Sequence, residues 1–392
     1  MFLKKNLWGL FFFFIWGTVF SQSKQLERLD VAFIDYAFAD VEAENMSVQG
    51  NHYNNYSGTL NVNSEYSILL DSLTSKEKKS ENFVLNILNI NSKYSDYAPS
   101  FCQEKLVFSS SRDVNRVSKS FDAFSNQPFL DLYTASKEAD KQRIKKLKGK
   151  INSKFHESSP VFTADGKTVY FTRNNYSNKK SKTNTEGSVL LKIYQAKYKE
   201  EKWVNIKELP FCSDEYSVAH PTLSPDGRYL YFASDMPGSL GKSDLYFVRI
   251  YKDGSFGTPQ NLGNQINTDG RETFPYVSDK GKLFFASDGH LGFGGLDIFV
   301  AMPDEGGETE IYNLGEPINS PEDDFTFIIN EENKIGYFAS NREGGKGDDD
   351  IYGFRQLISF KDYHGRKPNI IRKLERIIET KSTENSSIIV SN

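Results

Sequence analysis

From about residue 82 onward the chain is a succession of short apolar runs separated by polar turns, and the runs repeat. Five of them end in an aromatic residue followed by a small one: KLVFSS at Lys105–Ser110, TVYFTR at 168–173, YLYFAS at Tyr229–Ser234, KLFFAS at 282–287 and KIGYFAS at 334–340. Runs this short, rich in aromatic and β-branched residues and bounded by Gly, Pro, Asp and Asn, read as β-strands. Their aligned phenylalanines, Phe108, Phe171, Phe232, Phe285 and Phe338, lie 63, 61, 53 and 53 residues apart. A second landmark follows each: Asp131-Leu132-Tyr133, Lys192-Ile193-Tyr194, Asp244-Leu245-Tyr246, Asp297-Ile298-Phe299 and Asp350-Ile351-Tyr352, at spacings of 61, 52, 53 and 53. Two landmarks held in one register mark an internal repeat.

Each unit opens on a short strand marked by Pro99, Pro160, Pro221 and Pro275, with Thr326 in the matching place of the fifth. Asp165-Gly166 and Asp226-Gly227 predict a two-residue hairpin turn with both central residues at positive φ. A third landmark closes the units: Asn91-Ser92, Asn152-Ser153, Asn267-Thr268 and Asn319-Ser320, with Cys212-Ser213 as a worn copy. The aromatic strand is apolar on both faces, as a strand must be when its sheet is sandwiched between two others. Four short strands in each unit of roughly 50–60 residues predict one blade of a β-propeller. Residues 82–91 (NFVLNILNIN) precede the first unit yet resemble the fourth strand of later ones, such as 259–266. They are expected to complete the fifth blade and close the ring. The expected fold is therefore all-β, a five-bladed propeller of four-stranded antiparallel blades over 82–358, with six blades as the alternative count.

The flanks read differently. Residues 1–22, with Lys4 and Lys5 before an apolar run from Leu7 to Phe20, predict a cleaved export signal, since the run is short of the ~20 residues that span a bilayer. No cysteine precedes Cys102, so no lipid acceptor ends that signal, and no later stretch predicts a membrane span. Residues 23–81 predict a short helical and irregular region, with helices over 26–41 and 66–73. Residues 359–392 predict a tail whose Ile370, Ile371, Leu374, Ile377 and Ile378 recur at helical spacing. That helix is expected to lie on the propeller, or else to dock on an envelope protein or lipid headgroups. A net charge of −4 argues against nucleic acid as partner. Two cysteines, placed on non-adjacent units, predict free buried thiols rather than a disulfide.

The segments YSVAHPTLSPDGRYLYF at 216–232 and RETFPYVSDKGKLFFASDGHLGFGGLDIFVA at 271–301 are similar to PD40, or WD40-like, repeats of the TolB kind. The second resembles the propeller of PorE-type envelope proteins of Bacteroidota, known as OmpA family proteins and linked to type IX secretion and gliding. The resemblance covers about 82–356 and is strongest in units three to five. It implies an exported periplasmic protein associated with the outer membrane, whose partners are envelope proteins. Such proteins carry a helical TPR domain before the propeller and regulatory-like and OmpA-like domains after it. Here residues 23–81 suffice only for a TPR remnant, and no OmpA-like domain follows, so contact with peptidoglycan is expected to be indirect.

Candidate chemistry is sparse. Acidic residues recur before the first strands, Asp96, Glu157, Glu272 and Asp323, with His220 and Arg271 nearby. They are expected either to hold the ring together or to form a polar socket at one mouth of the central channel. The glycine-rich loops 238–244, 289–297 and 344–350 lack a following helix, so they do not read as phosphate loops. Their terminal Asp244, Asp297 and Asp350 are expected to accept backbone N–H bonds within their own loops. A cation site at Asp348, Asp349 and Asp350 is the alternative, because carboxylates suit Ca²⁺; no other cofactor is expected. Gly-x-Ser-x-Gly is absent, and His156, His220 and His290 fall at different repeat positions. On these grounds no catalytic residue is assigned and the chain is expected not to be an enzyme. The function expected is an envelope protein-interaction scaffold. The alternative is a sensor of carbohydrate or peptidoglycan fragments through exposed aromatics Phe293, Tyr53 and Tyr56.

Overall fold

A computed structural model describes residues 82–360, apart from 104, 113–120, 123–124, 139–140, 178–179 and 304–308. The expected signal, the helices over 26–41 and 66–73, Tyr53, Tyr56 and the tail helix lie outside the described residues. Five four-stranded antiparallel sheets make five blades. Blade 1 is β2 (Asp96–Cys102), β3 (Lys105–Ser110), β4 (Asp131–Glu138) and β5 (Lys141–Lys146). Blade 2 is β6 (Glu157–Phe162), β7 (Thr168–Asn174), β10 (Leu191–Lys199) and β11 (Lys202–Glu208), with a small hairpin of β8 (Tyr176–Ser177) and β9 (Lys180–Ser181). Blade 3 is β12 (Val218–Leu223), β13 (Tyr229–Ser234), β14 (Asp244–Arg249) and β15 (Gln260–Asn261). Blade 4 is β16 (Glu272–Val277), β17 (Leu283–Ser287), β18 (Asp297–Pro303) and β19 (Thr309–Asn313). Blade 5 is β20 (Asp324–Asn330), β21 (Ile335–Ser340), β22 (Asp350–Gln356) and β1 (Phe83–Ile87).

The seam is where the sequence placed it. β1 pairs antiparallel with β22, from Phe83 opposite Gln356 to Ile87 opposite Tyr352, so the start of the ring is zipped onto its end. Closure leaves five blades. The fourth strands differ in length, from seven residues in β11 to two in blade 3, where only Gln260 and Asn261 pair.

The aligned phenylalanines mark a backbone irregularity that repeats five times. In each inner strand two residues oppose one on the second strand, and that one is the landmark: Phe108, Phe171, Phe232, Phe285 or Phe338. Each is at most 1 % exposed. A bulge of this kind bends its strand and increases the local twist. Its first residue is Ala98, Ser159, His220, Phe274 or Thr326, all with φ between 47° and 56°. Left-handed backbone is uncommon for such residues, so the same unusual conformation recurs in every blade. The prolines follow these residues inside the strand rather than starting it. In blade 5 the counterpart of the prolines is Phe327, and Thr326 matches the residue before them. The fifth unit lacks the proline that sets the register, and the expected alignment there was one residue early.

Between consecutive blades lie separate apolar cores. Leu132, Phe171, Tyr194 and Trp203 pack between blades 1 and 2. Phe284, Phe327, Phe338 and Phe354 pack between blades 4 and 5. Ile90, Phe108, Tyr133 and Ile351 pack across the seam. The turn at Asp165-Gly166 is wider than the two-residue hairpin expected, since the Thr163 N–H closes on the Thr168 carbonyl at 3.0 Å around four residues, 164–167. Gly166 donates its N–H to the Thr163 carbonyl at 2.8 Å, and of the pair only Gly166 has positive φ. Cys102 and Cys212 are free and half-buried.

Candidate functional site: the axial cavity and the carboxylate ends of the inner strands

The inner strands carry two different chemistries at their two ends. At the first residue stand Asp96, Glu157, Glu272 and Asp324, all buried, with Val218 in blade 3. The fifth-blade acid is Asp324, not the expected Asp323; Asp323 instead accepts the Leu296 N–H at 2.7 Å. Each buried carboxylate accepts the N–H and the hydroxyl of the residue four positions back. Ser92 serves Asp96 (2.5 and 2.7 Å), Thr268 serves Glu272 (2.8 and 2.7 Å) and Ser320 serves Asp324 (2.6 and 2.8 Å). Ser153 serves Glu157 in the same way.

In three blades an arginine completes the arrangement. Arg112 meets Asp96 at 2.5 Å, Arg173 meets Glu157 at 2.8 Å and Arg342 meets Asp324 at 2.5 Å. Each guanidinium lies over a landmark phenylalanine and the tyrosine of the second landmark, and also donates to carbonyls of the preceding connection. In blade 4 the Ser287 hydroxyl bonds Glu272 at 2.7 Å, and His290 takes the ring contacts with Phe285 and Phe299. The Asn-Ser landmark has a role in the same region. Asn152, Asn267 and Asn319 each accept an N–H from the third strand and donate to its carbonyl at the same residue, Leu132, Leu245 and Ile298. Asn91 does this across the seam at Ile351. In the worn copy the Cys212 Sγ lies 3.6 Å from the Ile193 carbonyl in place of the paired amide bonds. Burial pushes its thiol up to about 12.

The glycine-rich loops end in the turns expected. Asp244 accepts the N–H of Leu240 and Gly241, Asp297 those of Phe293 and Gly294, and Asp350 those of Lys346 and Gly347. The glycines let these loops press on the next connection: a Cβ on Gly294 would sit 2.1 Å from the Pro321 carbonyl oxygen. Asp131 pairs with Lys146, and blade 2 exchanges the charges, Lys192 meeting Glu208 at 2.7 Å and Asp214 at 2.5 Å. The carboxylates of Asp348, Asp349 and Asp350 turn to different partners, Gln127, Ser95 and the loop backbone. Among the described residues no group of three or more His, Cys, Asp or Glu is arranged to hold a metal ion. Arg271 pairs with Asp288 at 2.8 Å on the surface. Phe293 is 47 % exposed on the face that carries these loops.

The other end of the inner strands encloses a cavity of about 540 Å³ on the ring axis. It opens on the opposite face, among the turns that join first to second strands, including 163–165 and 224–227. Its walls are largely apolar: Pro99, Pro160, Pro221 and Pro275 with Val161, Phe162, Leu223, Tyr276 and Phe327. Asp165 and Asp226 are the carboxylates of its lining, and each is bonded within its own turn. The bulge residues, with φ near 50°, line its inner part; Ala98, Ser159, Phe274 and Thr326 were not among the expected site residues, because a bulge leaves no periodic signal. There His220 stacks on Phe274 at 3.7 Å between centroids, and its Nδ1 lies 2.7 Å from Thr273 Oγ1. Burial pushes its pKa down to about 3, so the imidazole is neutral. Tyr97 meets Phe274 edge-on, and Phe325 lies tilted against both rings. Of the expected channel-mouth set, only His220 lines this cavity.

No protein-family model matches the chain, and no curated protein matches it. Solved structures similar to it are propellers of several kinds. A thermostable family-43 glycoside hydrolase is 14 % identical, with 70 % of this chain and 93 % of that one covered and a TM-score of 0.44. An endo-arabinase from Bacteroides thetaiotaomicron is 12 % identical over 69 % and 99 % of the two chains, TM-score 0.43. A putative TolB from Agrobacterium tumefaciens is 17 % identical over 65 % and 72 %, TM-score 0.35. These likenesses are of fold alone. They correct the expectation that the chain is not an enzyme, because the fold is shared with hydrolases and the missing sequence motifs exclude no activity assembled from several blades.

Proposed function

We propose that this propeller is a protein-binding module of the bacterial envelope that takes a segment of a partner polypeptide into its axial cavity. The observation that carries the reading is the cavity itself: open on one face, large enough for several side chains, apolar in its walls and free of unpaired charge. In keeping with the PorE-type resemblance, the module would work in the periplasm on partners around type IX secretion or gliding machinery. A photo-crosslinking residue placed at Phe101, on the cavity rim, tests it against the same residue at Phe293, on the other face. Crosslinks to a defined envelope protein from Phe101 alone, lost when Leu223→Asp charges the wall, support the reading. Equal products from both positions, or retention on cell-wall glycan with no protein product, would sink it.

A further inference from the structure

The outer edge of blade 1 concentrates positive charge. The segment 141–154, KQRIKKLKGKINSK, holds seven of the chain's 48 lysines and arginines and none of its 52 acids. It comprises β5, the outer strand, and the start of the connection to blade 2. Ile144 packs on the core across the seam, and its neighbours Arg143 and Lys145 are exposed. Lys148, Lys150 and Lys154 are exposed as well. Lys146 is held by Asp131, and Lys148 reaches Glu201 at 3.7 Å with both side chains largely in solvent.

Lysines on an outer strand guard it against pairing with another sheet. That accounts for too little here. The other outer strands do without such a run: β11 has two lysines and a glutamate, β19 one glutamate, and β15 and β1 no charged residue. The run also continues past β5, where the backbone is already paired. Lys150 donates its N–H to the Trp203 carbonyl, and Trp203 donates its own to the Lys148 carbonyl, both at 2.9 Å.

We infer that this edge of blade 1 docks on a membrane surface rich in phosphate-bearing lipid headgroups. Charge complementarity selects the occupant, and the layout of the charges narrows it. The cations of β5 are strung along about 17 Å of strand, which suits many phosphates on a surface better than one bound ion. An acidic partner strand could match β5 but not Lys148 and Lys150, whose stretch of backbone is taken by Trp203. Single-stranded nucleic acid wants open aromatic faces, and Phe155, beside the run, has Lys154 over its ring at 5.2 Å. The inference does not depend on what the axial cavity binds. Lys154 stands three residues before Glu157, at the carboxylate end of the strands, so this contact leaves the cavity mouth on the opposite face open.

The protein and its variants, purified from their native host, are sedimented with vesicles of about 30 % phosphatidylglycerol in phosphatidylcholine and with phosphatidylcholine alone, at about 0.1 M salt. Binding is expected to the anionic vesicles only, and to fall steeply when salt is raised to about 0.5 M. Lys148→Gln with Lys150→Gln should weaken it about twentyfold, each lysine near such a surface being worth roughly fivefold. Arg143→Gln with Lys145→Gln should act alike. Lys252→Gln with Lys280→Gln, two exposed lysines of blades 3 and 4, should change it less than about twofold. Equal sedimentation with neutral vesicles, or none with either, overturns the assignment. So does binding that survives both blade 1 pairs, the contact then lying elsewhere in the chain. Tighter retention by duplex DNA than by the anionic vesicles at the same salt overturns the lipid as occupant. Each of these outcomes leaves crosslinking from Phe101, and the cavity reading it tests, untouched.

Discussion

Blades 3 and 5 solve the same packing problem with opposite chemistry. In blade 5 the inner strand starts with Asp324, and Arg342, four residues past the landmark Phe338, reaches it at 2.5 Å beneath a surface of neighbouring side chains. In blade 3 the inner strand starts with Val218, and Met236, four residues past Phe232, packs with it in an apolar cluster that includes Tyr246. Both arrangements sit between the same two aromatic landmarks. A buried ion pair and an apolar pair therefore occupy equivalent places, as expected when the Coulombic gain roughly offsets desolvation. The recurring acids are consequently part of the frame, and the proposed binding site lies at the far end of the strands.

Breaking one side of the comparison should have the largest effect. Arg342→Ala leaves Asp324 buried without its partner and is expected to cost about 3–5 kcal/mol in chemical unfolding. Grafting blade 3 onto blade 5, Asp324→Val with Arg342→Met, is expected to return stability to within about 1–2 kcal/mol of the parent. If the double variant were as damaged as the single one, the equivalence of the two blades would be wrong.

Smaller changes sharpen it. Asn319→Ala imitates the loss already seen at Cys212. It removes the bonds to Ile298, and an expected cost of about 1–3 kcal/mol follows from the orphaned backbone groups. Asp297 differs from Asp244 in that Asn261 bonds the latter at 2.7 Å, whereas Asp297 Oδ1 has no partner among the described residues. Burial raises the Asp297 pKa from 3.8 to about 6. The folded state then holds a proton that the unfolded chain has released. Its stabilisation is complete below about pH 3.8 and is lost as pH rises through about 6. Asp297→Asn should flatten that part of the melting-temperature profile, and an unchanged profile would assign the slope elsewhere. The smallest effect belongs to Arg228, which meets Asp226 at 2.5 Å, the same separation as Arg342 and Asp324, but at the surface. Arg228→Ala is expected to leave the melting temperature unmoved, since solvent screens such pairs.

Much of the architecture was legible because it depends on periodic patterns. Phe108, Phe171, Phe232, Phe285 and Phe338 recur because each must fill the position opposite a bulge, so their spacing counts the blades. The Asn-Ser landmark recurs because an amide side chain can serve an N–H and a carbonyl at once. The fifth unit misled the reading by one residue, at Asp323 and Thr326, because Phe327 replaces the proline that marks the place elsewhere. The role of the acids was not legible in the same way. Asp96 looks the same in sequence whether it faces a channel or lies under Arg112.

The chain's own order of residues determined the strands, the number of blades and the closure by β1, since each follows from local patterning repeated in register. Only the assembled ring decided what that frame does. Five bulges turn Ala98, Ser159, His220, Phe274 and Thr326 toward one axis, and burial there neutralises His220. Convergence and desolvation are properties of residues far apart along the backbone, so no stretch of sequence contains them.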